Sequence, residues 1–346
     1  RHAEQVKLGR AQRKRKSLDL LDRTLRHGHR GFGVLSRFLR IGGQARHSVA
    51  ELDPTTGHAT EWNPDVGFSG SSGSVRALAA LGDTIYIGGS FWTVGANQRH
   101  SLAAVSAATG LATPWDPHVT GPDDRYYGGP YASGLAVRGN TIYVGGHFTG
   151  IGGQVRGGLA QLDLATGQAT SWNPDPGPWM GSFNRDVTAI ALTDSTLVAA
   201  GWFETMGGQP RRFAAEVNLA TGAPTAWDPS ANNGTMAIAA GSNAIYVGGS
   251  FTGLGPQWQR RDNLAAFDAL SGVVKDWDPN PDGFIVTALA VSHGLVYVGG
   301  YFSTIGGQVR FGLASLDTLT GAATEWNPTA NSVVGSLVVA GDTLYA

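Results

Sequence analysis

The chain of 346 residues contains no cysteine, which excludes disulfides, thiolate metal ligands and a cysteine nucleophile from its chemistry. Long apolar runs are missing as well, because no stretch approaches the ~18 consecutive apolar residues that indicate a transmembrane helix. Charged residues make up only 15% of the chain, and the formal net charge is -1. Glycine is abundant instead, with 51 residues. This composition is typical of a globular protein with many tight turns and no membrane span.

The balanced charge hides a basic amino-terminal segment. Residues 1–30 carry ten Lys or Arg against three acids, whereas residues 31–346 carry fifteen against twenty-three. We predict that residues 1–30 are a basic, disordered or non-domain segment, although residues 13–16 also fit a nuclear-import or nucleic-acid patch. The acidic excess of the remaining chain disfavours nucleic acid as a partner. No signal peptide is visible, because the apolar run at residues 18–21 is short and contains Asp19.

A Trp-Asn-Pro or Trp-Asp-Pro tripeptide recurs along the chain at spacings of 49 to 57 residues. Its tryptophans are Trp62, Trp115, Trp172, Trp227, Trp277 and Trp326. A second marker is an apolar run that ends in Gly-Gly-x-Phe, as in residues 142–148. Regular self-similarity with a period of this length indicates a repeat architecture.

Each repeat unit predicts four short strands. In the last unit, the runs rich in β-forming residues are 286–291, 296–299, 311–316 and 323–326. The first two runs are joined by very short turns, so they form an antiparallel hairpin. An Asp-x-x-Thr-Gly turn joins the last two, and its aspartate is predicted to be structural because it can accept hydrogen bonds from the turn backbone. Four antiparallel strands per unit predict an all-β fold, a β-propeller whose blades are these units.

The repeat count leaves two incomplete blades. Five complete blades end at Pro117, Pro174, Pro229, Pro279 and Pro328. Residues 38–64 supply the third and fourth strands of a further blade, and residues 333–346 supply its first two strands. These complementary parts predict one composite sixth blade that closes the ring. The alternative is a fragment of a longer chain with seven blades, and in either case residues 31–346 are predicted to be a single propeller domain.

The motif order within one unit resembles a known repeat family. Residues 143–174 read Tyr-Val-Gly-Gly-x-Phe-x-x-Ile-Gly-Gly-Gln-x-Arg, then Leu-Ala-x-Leu-Asp-x-x-Thr-Gly, then Trp-Asn-Pro. This pattern resembles the bacterial delta-60 repeat β-propellers, and its double glycine, aspartate and tryptophan are also similar to kelch repeats. The resemblance covers about residues 38–346, with departures at residues 94–97 and 254–257. It implies a propeller, and it implies little about the ligand because such propellers include both binding proteins and enzymes.

Aromatic residues that the repeat does not require concentrate in the variable loops between blades and beside them. Variable loops on a rigid scaffold commonly carry binding residues, and exposed aromatic side chains indicate contact with a partner. We therefore predict a surface that binds a glycan or a protein. The predicted ligand-binding residues are Trp92, Tyr126, Tyr127, Trp179 and Trp258. The alternative is that several of these rings fold inward and plug the funnel around the axis.

Each unit also repeats an arginine at the beginning of its third strand. These arginines are Arg46, Arg99, Arg156, Arg211, Arg260 and Arg310. Six guanidinium groups in a ring would suit an anionic polymer. A residue that recurs in every blade is more simply interpreted as part of the repeat, in a hydrogen-bonded pair within or between blades.

A catalytic site should break the repetition, because it is a single asymmetric constellation. His147 stands where other units have Ser90, Ser250 and Tyr301. With Asp123 and Asp124 of the longest loop, it is the candidate for acid–base chemistry. The histidines show no metal-binding spacing, and no metal or cofactor is predicted. We predict a non-catalytic binding or structural propeller, outside a bacterial cell or on its surface. A propeller-fold polysaccharide hydrolase or lyase is the alternative.

Overall fold

The computed structural model describes residues 40–41, 44–45, 47–51, 59–68, 71–122, 129–178, 185–255, 258–328, 330, 333–340 and 343–345. All of them belong to the compact unit Leu35–Ala346, and the predicted basic segment 1–30 lies outside the described residues. Regular structure in the described part consists of β-strands. No helix there has the length and apolarity that crossing a membrane requires.

Most strands are short and follow one another in a repeating series. They are β1 (Arg40–Ile41), β2 (Gln44–Ala45), β3 (Val66–Phe68), β4 (Ser71–Ser72), β5 (Ser74–Leu81), β6 (Thr84–Ser90), β7 (Thr93–Val94), β8 (Asn97–Gln98), β9 (Leu102–Ser106), β10 (Tyr131–Arg138), β11 (Thr141–His147), β12 (Gly150–Ile151), β13 (Gln154–Val155), β14 (Leu159–Asp163), β15 (Asp186–Leu192), β16 (Thr196–Trp202), β17 (Thr205–Met206), β18 (Gln209–Pro210), β19 (Ala214–Asn218), β20 (Thr235–Ala240), β21 (Ala244–Gly249), β22 (Gly253–Leu254), β23 (Gln259–Arg260), β24 (Leu264–Asp268), β25 (Ile285–Ser292), β26 (Leu295–Tyr301), β27 (Thr304–Ile305), β28 (Gln308–Val309), β29 (Leu313–Asp317), β30 (Val338–Ala340) and β31 (Thr343–Tyr345).

One antiparallel arrangement recurs, in which an inner strand pairs with a middle strand and the middle strand with an outer strand. We number these units as blades one to five: β5-β6-β9, β10-β11-β14, β15-β16-β19, β20-β21-β24 and β25-β26-β29. Blades two and three are also joined by a single backbone pairing between His147 and Asp186. The prediction of an all-β fold built from antiparallel blades is confirmed.

The predicted fourth strand of each blade is reduced to a single β-bridge, as between Leu162 and Ala169 in blade two. The chain then leaves the blade at Trp172, whose indole N–H donates to the carbonyl oxygen of Asn218 in blade three at 3.0 Å. The proline that follows each tripeptide has no N–H with which to continue the sheet. The tripeptide therefore joins neighbouring blades instead of extending its own.

The connection from the middle to the outer strand is a small hairpin on the outer side of each blade. In blade two this hairpin is β12 and β13, and its turn lies at Gly152. The Gly152 N–H donates to the carbonyl oxygen of Pro117 in the preceding tripeptide, and its carbonyl accepts from Ala169 of its own blade. Gly152 has a φ of +59°, and a Cβ there would lie 2.3 Å from the Ala169 nitrogen, so only glycine fits this contact.

The Gly-Gly pair at the end of the middle strand lets the blades pack closely. A Cβ at Gly146 would lie 2.1 Å from the carbonyl oxygen of Tyr131 on the paired strand. A Cβ at Gly145 would lie 3.1 Å from the side chain of Ile190, which belongs to the inner strand of blade three. The space left by glycine is therefore filled by an apolar side chain of the next blade. This interblade packing forms the buried core.

The two ends of the described chain carry the part-blades. The strands β30 and β31 pair with each other, and Leu337 packs against Ala288 of blade five. Leu78 on the inner strand of blade one is 52% exposed, whereas the equivalent Leu289 of blade five is 9% exposed. Among the described strands, none of the amino-terminal ones pairs with β30 or β31. Closure by a composite sixth blade and the seven-bladed alternative both remain predictions.

Candidate functional site

The blades differ most at the end where the inner strands begin and the middle strands end, which we call the upper face. The residues that pair there are Ser74 with Ser90, Tyr131 with His147, Asp186 with Trp202 and Ile285 with Tyr301. The remainder of each strand repeats the same small and apolar pattern from blade to blade. A site that breaks the repetition is therefore to be sought at the upper face.

Trp92 is one of the predicted contact residues, and it lies at the surface beside the end of β6. Its side chain is 47% exposed and stacks on the His100 ring, with centroids 6.0 Å apart and planes at 30°. The other units have Thr149, Glu204, Thr252 or Ser303 at this position, so the repeat does not require an aromatic ring there.

Trp258 is also exposed, at 59%. It belongs to the turn of the outer hairpin of blade four, with a φ of +51°. A Cβ at Gly253, the residue after Thr252, would lie 3.6 Å from its ring. The other predicted residues, namely Tyr126, Tyr127 and Trp179 for binding and Asp123 and Asp124 for catalysis, lie outside the described residues.

Two other aromatic residues of the upper face form an exposed pair. The rings of Phe284 and Tyr301 in blade five stack at 5.6 Å between centroids, with planes at 30°. Phe284 is 72% exposed and Tyr301 is 48% exposed. Neither residue is among the ligand-binding residues predicted from the sequence. The sequence signal for this pair is Tyr301, which stands where blades one and four have Ser90 and Ser250.

Trp202 fits the alternative in which aromatic rings fold inward. Its ring packs edge-on against Phe213, with centroids 5.5 Å apart. A Cβ at Gly234 of the next blade would come within 2.5 Å of the Trp202 ring. Trp202 therefore fills space between blades three and four and is unavailable as a platform.

His147, the candidate catalytic residue, is buried in a polar cluster that spans three blades. His147 is 3% exposed, and its ring lies against the Tyr131 ring with centroids 5.5 Å apart and planes tilted by 31°. The Tyr131 hydroxyl donates to Oδ2 of Asp186 in blade three at 2.6 Å. The guanidinium carbon of Arg76 in blade one lies 4.0 Å from the centroid of the Tyr131 ring, a cation–π distance. We call these four residues the interblade clasp.

The electrostatics of the clasp centre on Asp186. Burial raises the pKa of its carboxyl group, while the hydrogen bond from Tyr131 and the charges of His147 and Arg76 act to lower it. Its second oxygen, Oδ1, is inaccessible to solvent and has no hydrogen-bond donor among the described residues. A buried carboxyl beside a histidine has the chemistry of an acid–base pair, but the burial of His147 favours a role in joining blades.

Arg76 departs from a hydroxyl pattern that links blades two, three and five to the next part of the chain, and Met236 of blade four departs from it as well. At the equivalent bulged position of the inner strand, Ser133 donates to the Val187 carbonyl of the next blade at 2.7 Å. Thr287 donates to the Val334 carbonyl in the same way, also at 2.7 Å. Neither Arg76 nor Asp186 was selected from the sequence. The available signal was the departure of Arg76 from the hydroxyl residues, whereas the position of Asp186 differs in every unit.

The repeated arginines lie within the blades. Arg156 donates to the carbonyl oxygen of Thr170, two residues before the tripeptide tryptophan, at 2.6 Å. Equivalent bonds are made by Arg99, Arg211, Arg261 and Arg310. The choice of Arg260 was wrong, because the hairpin of blade four has two extra residues before Gln259 and Arg261 therefore takes the repeat position. Arg260 is exposed and pairs with Asp262 at 3.0 Å, and Arg46 lies outside the described residues.

Other candidate sites are few in the part of the chain that the structure describes. No three His, Asp or Glu side chains there are grouped so as to hold a metal ion. A cleft of about 430 Å³ lies at the opposite face, between blades two and three, and Arg138, Asp194 and Asn218 contribute to its lining. It is remote from His147 along the same strands, so it does not join the candidate catalytic residue to a cavity.

Comparisons with known proteins agree with this architecture. The family model described as "Domain of unknown function (DUF5122) beta-propeller" matches residues 140–167, which lie in blade two. The extracellular domain of BT4673 from B. thetaiotaomicron has a TM-score of 0.51 at 11% identity, over 82% of this chain and 33% of that chain. No curated protein matches the chain.

Two further solved structures are similar at lower scores. The Pan2 WD40 domain of Neurospora crassa has a TM-score of 0.48 at 12% identity, over 77% of this chain and 68% of that one. BamB from Moraxella catarrhalis has a TM-score of 0.45 at 18% identity, over 85% of this chain and 74% of that one. The family match and the sheet arrangement define the class of protein as an all-β propeller.

Proposed function

We propose that this chain is a non-catalytic binding or structural propeller that contacts a glycan or a protein through aromatic side chains. The observation that carries the proposal is the exposure of aromatic rings that the repeat does not require. Trp92 is 47% exposed and Trp258 is 59% exposed, whereas the tripeptide residue Trp172 is 4% exposed. Tyr126, Tyr127 and Trp179 complete the proposed contact residues. Large exposed aromatic side chains are enriched where proteins bind partners.

The proposed location is outside a bacterial cell or on its surface, and the proposed repeat type is the delta-60 repeat with its kelch-like order. The low fraction of charged residues, 15%, and the delta-60 motif order in residues 143–174 support this. One structural neighbour is an extracellular domain, which is compatible with the same location. At 11% identity, this likeness supports the fold, and the location is our proposal.

The test is a glycan-array binding screen of the full chain beside Trp92→Ala, Trp179→Ala and Trp258→Ala variants. Leu319→Ala is the matched control, because Leu319 is 88% exposed in a turn at the opposite face. Saturable binding that weakens in a tryptophan variant and persists in the control supports the proposal. Silence across the array directs the search to a protein partner, and binding that none of these variants weakens refutes the proposed residues.

A polysaccharide hydrolase or lyase is the second candidate, and one observation favours it. His147 lies in a polar cluster that breaks the repetition, and Asp123 and Asp124 are its proposed acid–base partners. The same polysaccharides should therefore be analysed for products after incubation with the chain. New reducing ends would indicate hydrolysis and new unsaturated ends would indicate elimination, and either result would replace the binding proposal with the enzyme.

A further inference from the structure

The exposed stack of Phe284 and Tyr301 contrasts with the ring pair at nearby positions of blade two. Tyr131 and His147 lie with planes tilted by 31°, and they are only 5% and 3% exposed. In blade five the rings are 72% and 48% exposed, with planes 30° apart. Two nearly parallel rings in solvent leave a broad apolar surface uncovered at the upper face.

The stack is held in place before any ligand arrives. The Phe284 N–H donates to the carbonyl oxygen of Tyr301 at 3.1 Å, immediately before β25 and β26 begin their regular pairing. Asp282 fixes the other side of the loop, because its Oδ1 accepts from the N–H groups of Ser303 and Thr304 at 2.8 Å each. Its Oδ2 accepts from the Ser303 hydroxyl at 2.5 Å. A preorganised platform loses little conformational entropy on binding.

The exposed groups that flank the rings in the chain are polar. They include the Asn280 amide, the Asp282 carboxylate and the partly exposed Ser303 hydroxyl. Aromatic faces beside hydrogen-bonding groups suit a sugar, which presents C–H groups on its ring faces and hydroxyls at its edge. A protein interface core would instead surround such rings with apolar side chains that exclude water.

The charge at this site selects among sugars. Burial acts to raise the pKa of Asp282, and the hydrogen bonds from Ser303 and Thr304 outweigh it, so that its pKa lies below the ordinary value of 3.8. The carboxylate is therefore ionised at neutral pH. An anionic sugar unit close to it would be repelled, whereas an uncharged one would not.

We infer that the Phe284–Tyr301 stack is a binding platform for the ring of an uncharged sugar in an oligosaccharide. This inference rests on the proposed binding function and commits it to one ligand class and one blade. Phe284 supplies most of the exposed ring, Tyr301 adds a hydroxyl that can bond the sugar edge, and Asp282 holds the loop and accepts hydrogen bonds.

The experiment measures the affinity of the full chain for cellohexaose, xylohexaose and mannohexaose by titration calorimetry, with an oligogalacturonate as the anionic probe. We expect at least one uncharged probe to bind and the oligogalacturonate to bind more weakly. Phe284→Ala should lower the affinity about tenfold or more, as expected for the loss of one aromatic anchor. Leu319→Ala, at the opposite face of the same blade, should leave the affinity unchanged.

A Phe284→Leu variant separates a sugar platform from a general apolar contact. Leucine keeps apolar volume but has no flat face, so we expect it to lose binding as fully as alanine does. Retained binding in Phe284→Leu, tighter binding of the oligogalacturonate, or no binding of any uncharged probe would each overturn the inference. If Trp92→Ala weakens glycan binding and the Phe284 variants do not, the platform is wrong while the proposed binding function stands.

Discussion

The interblade clasp makes a sharp prediction about stability, because one hydroxyl joins two blades. Tyr131→Phe removes only the oxygen that donates to Asp186 at 2.6 Å and leaves the ring between Arg76 and His147. The other carboxyl oxygen of Asp186 has no donor among the described residues. The substitution therefore leaves a buried carboxyl group without its one described hydrogen bond.

The size of the effect follows from the kind of bond. A hydrogen bond to a charged group contributes ~1.5–3 kcal/mol, and a neutral one contributes ~0.5–1.5 kcal/mol. We expect Tyr131→Phe to lower the free energy of unfolding by about 2 kcal/mol at neutral pH. Ser133→Ala is the matched control, because it removes a neutral bond across the same pair of blades, to Val187 at 2.7 Å. It should cost about 1 kcal/mol.

The pH dependence of the clasp has a definite sign. Burial raises the folded-state pKa of Asp186, so its protonated form favours the folded state. This contribution is complete at low pH and is lost as the pH rises through the folded-state pKa. Asp186→Asn cannot ionise and keeps an oxygen that accepts from Tyr131. The difference in unfolding free energy, variant minus wild type, should therefore increase as the pH rises from about 4 to about 8.

Urea denaturation followed by tryptophan fluorescence, repeated across this pH range, measures all three variants. A double-mutant cycle of Tyr131→Phe and Asp186→Ala then measures the coupling energy between the hydroxyl and the carboxyl group, because each of these substitutions removes the bond. If Tyr131→Phe costs no more than Ser133→Ala, or if the wild type and Asp186→Asn change in parallel with pH, the assigned role of the buried carboxyl is wrong.

Three further predictions use pairs or sites within the repeat. Trp172→Ala should lower the free energy of unfolding by ~3–5 kcal/mol, because it empties a packed interblade site. Trp326→Ala should lower it clearly less, because Trp326 is 39% exposed, and thermal or urea unfolding compares the two variants. Arg261→Ala should cost about 2 kcal/mol by removing bonds to backbone carbonyls, and Arg260→Ala should stay within ~0.5 kcal/mol because its side chain is exposed, as urea midpoints will show. Hydrogen bonds from Thr166 lower the pKa of Asp163 below 3.8, so the stabilisation by its carboxylate is present above that pH and is lost as the pH falls. Asp163→Asn should therefore lose less stability on acidification than the wild type does, and equal losses would contradict this.

The repeated features could be predicted from the sequence because each copy repeats the same physical requirement. Trp172 and its equivalents need a partner in the next blade for the indole N–H, and Gly146 needs to approach a backbone carbonyl closely. Each requirement falls at the same position of every unit, so six copies of the tripeptide were enough to define the blade. The fourth strand was longer in the prediction than in the structure, since β-propensity does not reveal that the chain crosses to the next blade after one bridge.

The candidate site could be predicted only in part. Arg76, Tyr131 and Asp186 are 55 residues apart at each step in the sequence, and they meet only because three blades stand side by side. A pattern search within one unit cannot identify a contact of this kind. The register error at Arg260 has a similar origin, because the two inserted residues change the alignment with other blades without changing the motif itself.

Departures from the repeat fall into two kinds that require different explanations. Buried departures, such as Asp186 where other blades have Ser74, Tyr131, Gly234 and Ile285, carry a desolvation cost, and the hydrogen bond from Tyr131 offsets part of it. Exposed departures, such as Phe284, add little to folding because most of the ring stays in water, and their energy becomes available only when a partner covers them. The first kind occupies blades one to three, whereas the second occurs both in blade five, with Phe284, and in blade one, with Trp92. The upper face is therefore asymmetric around the axis, because buried polar contacts join blades one to three while the ring pair of blade five stays exposed.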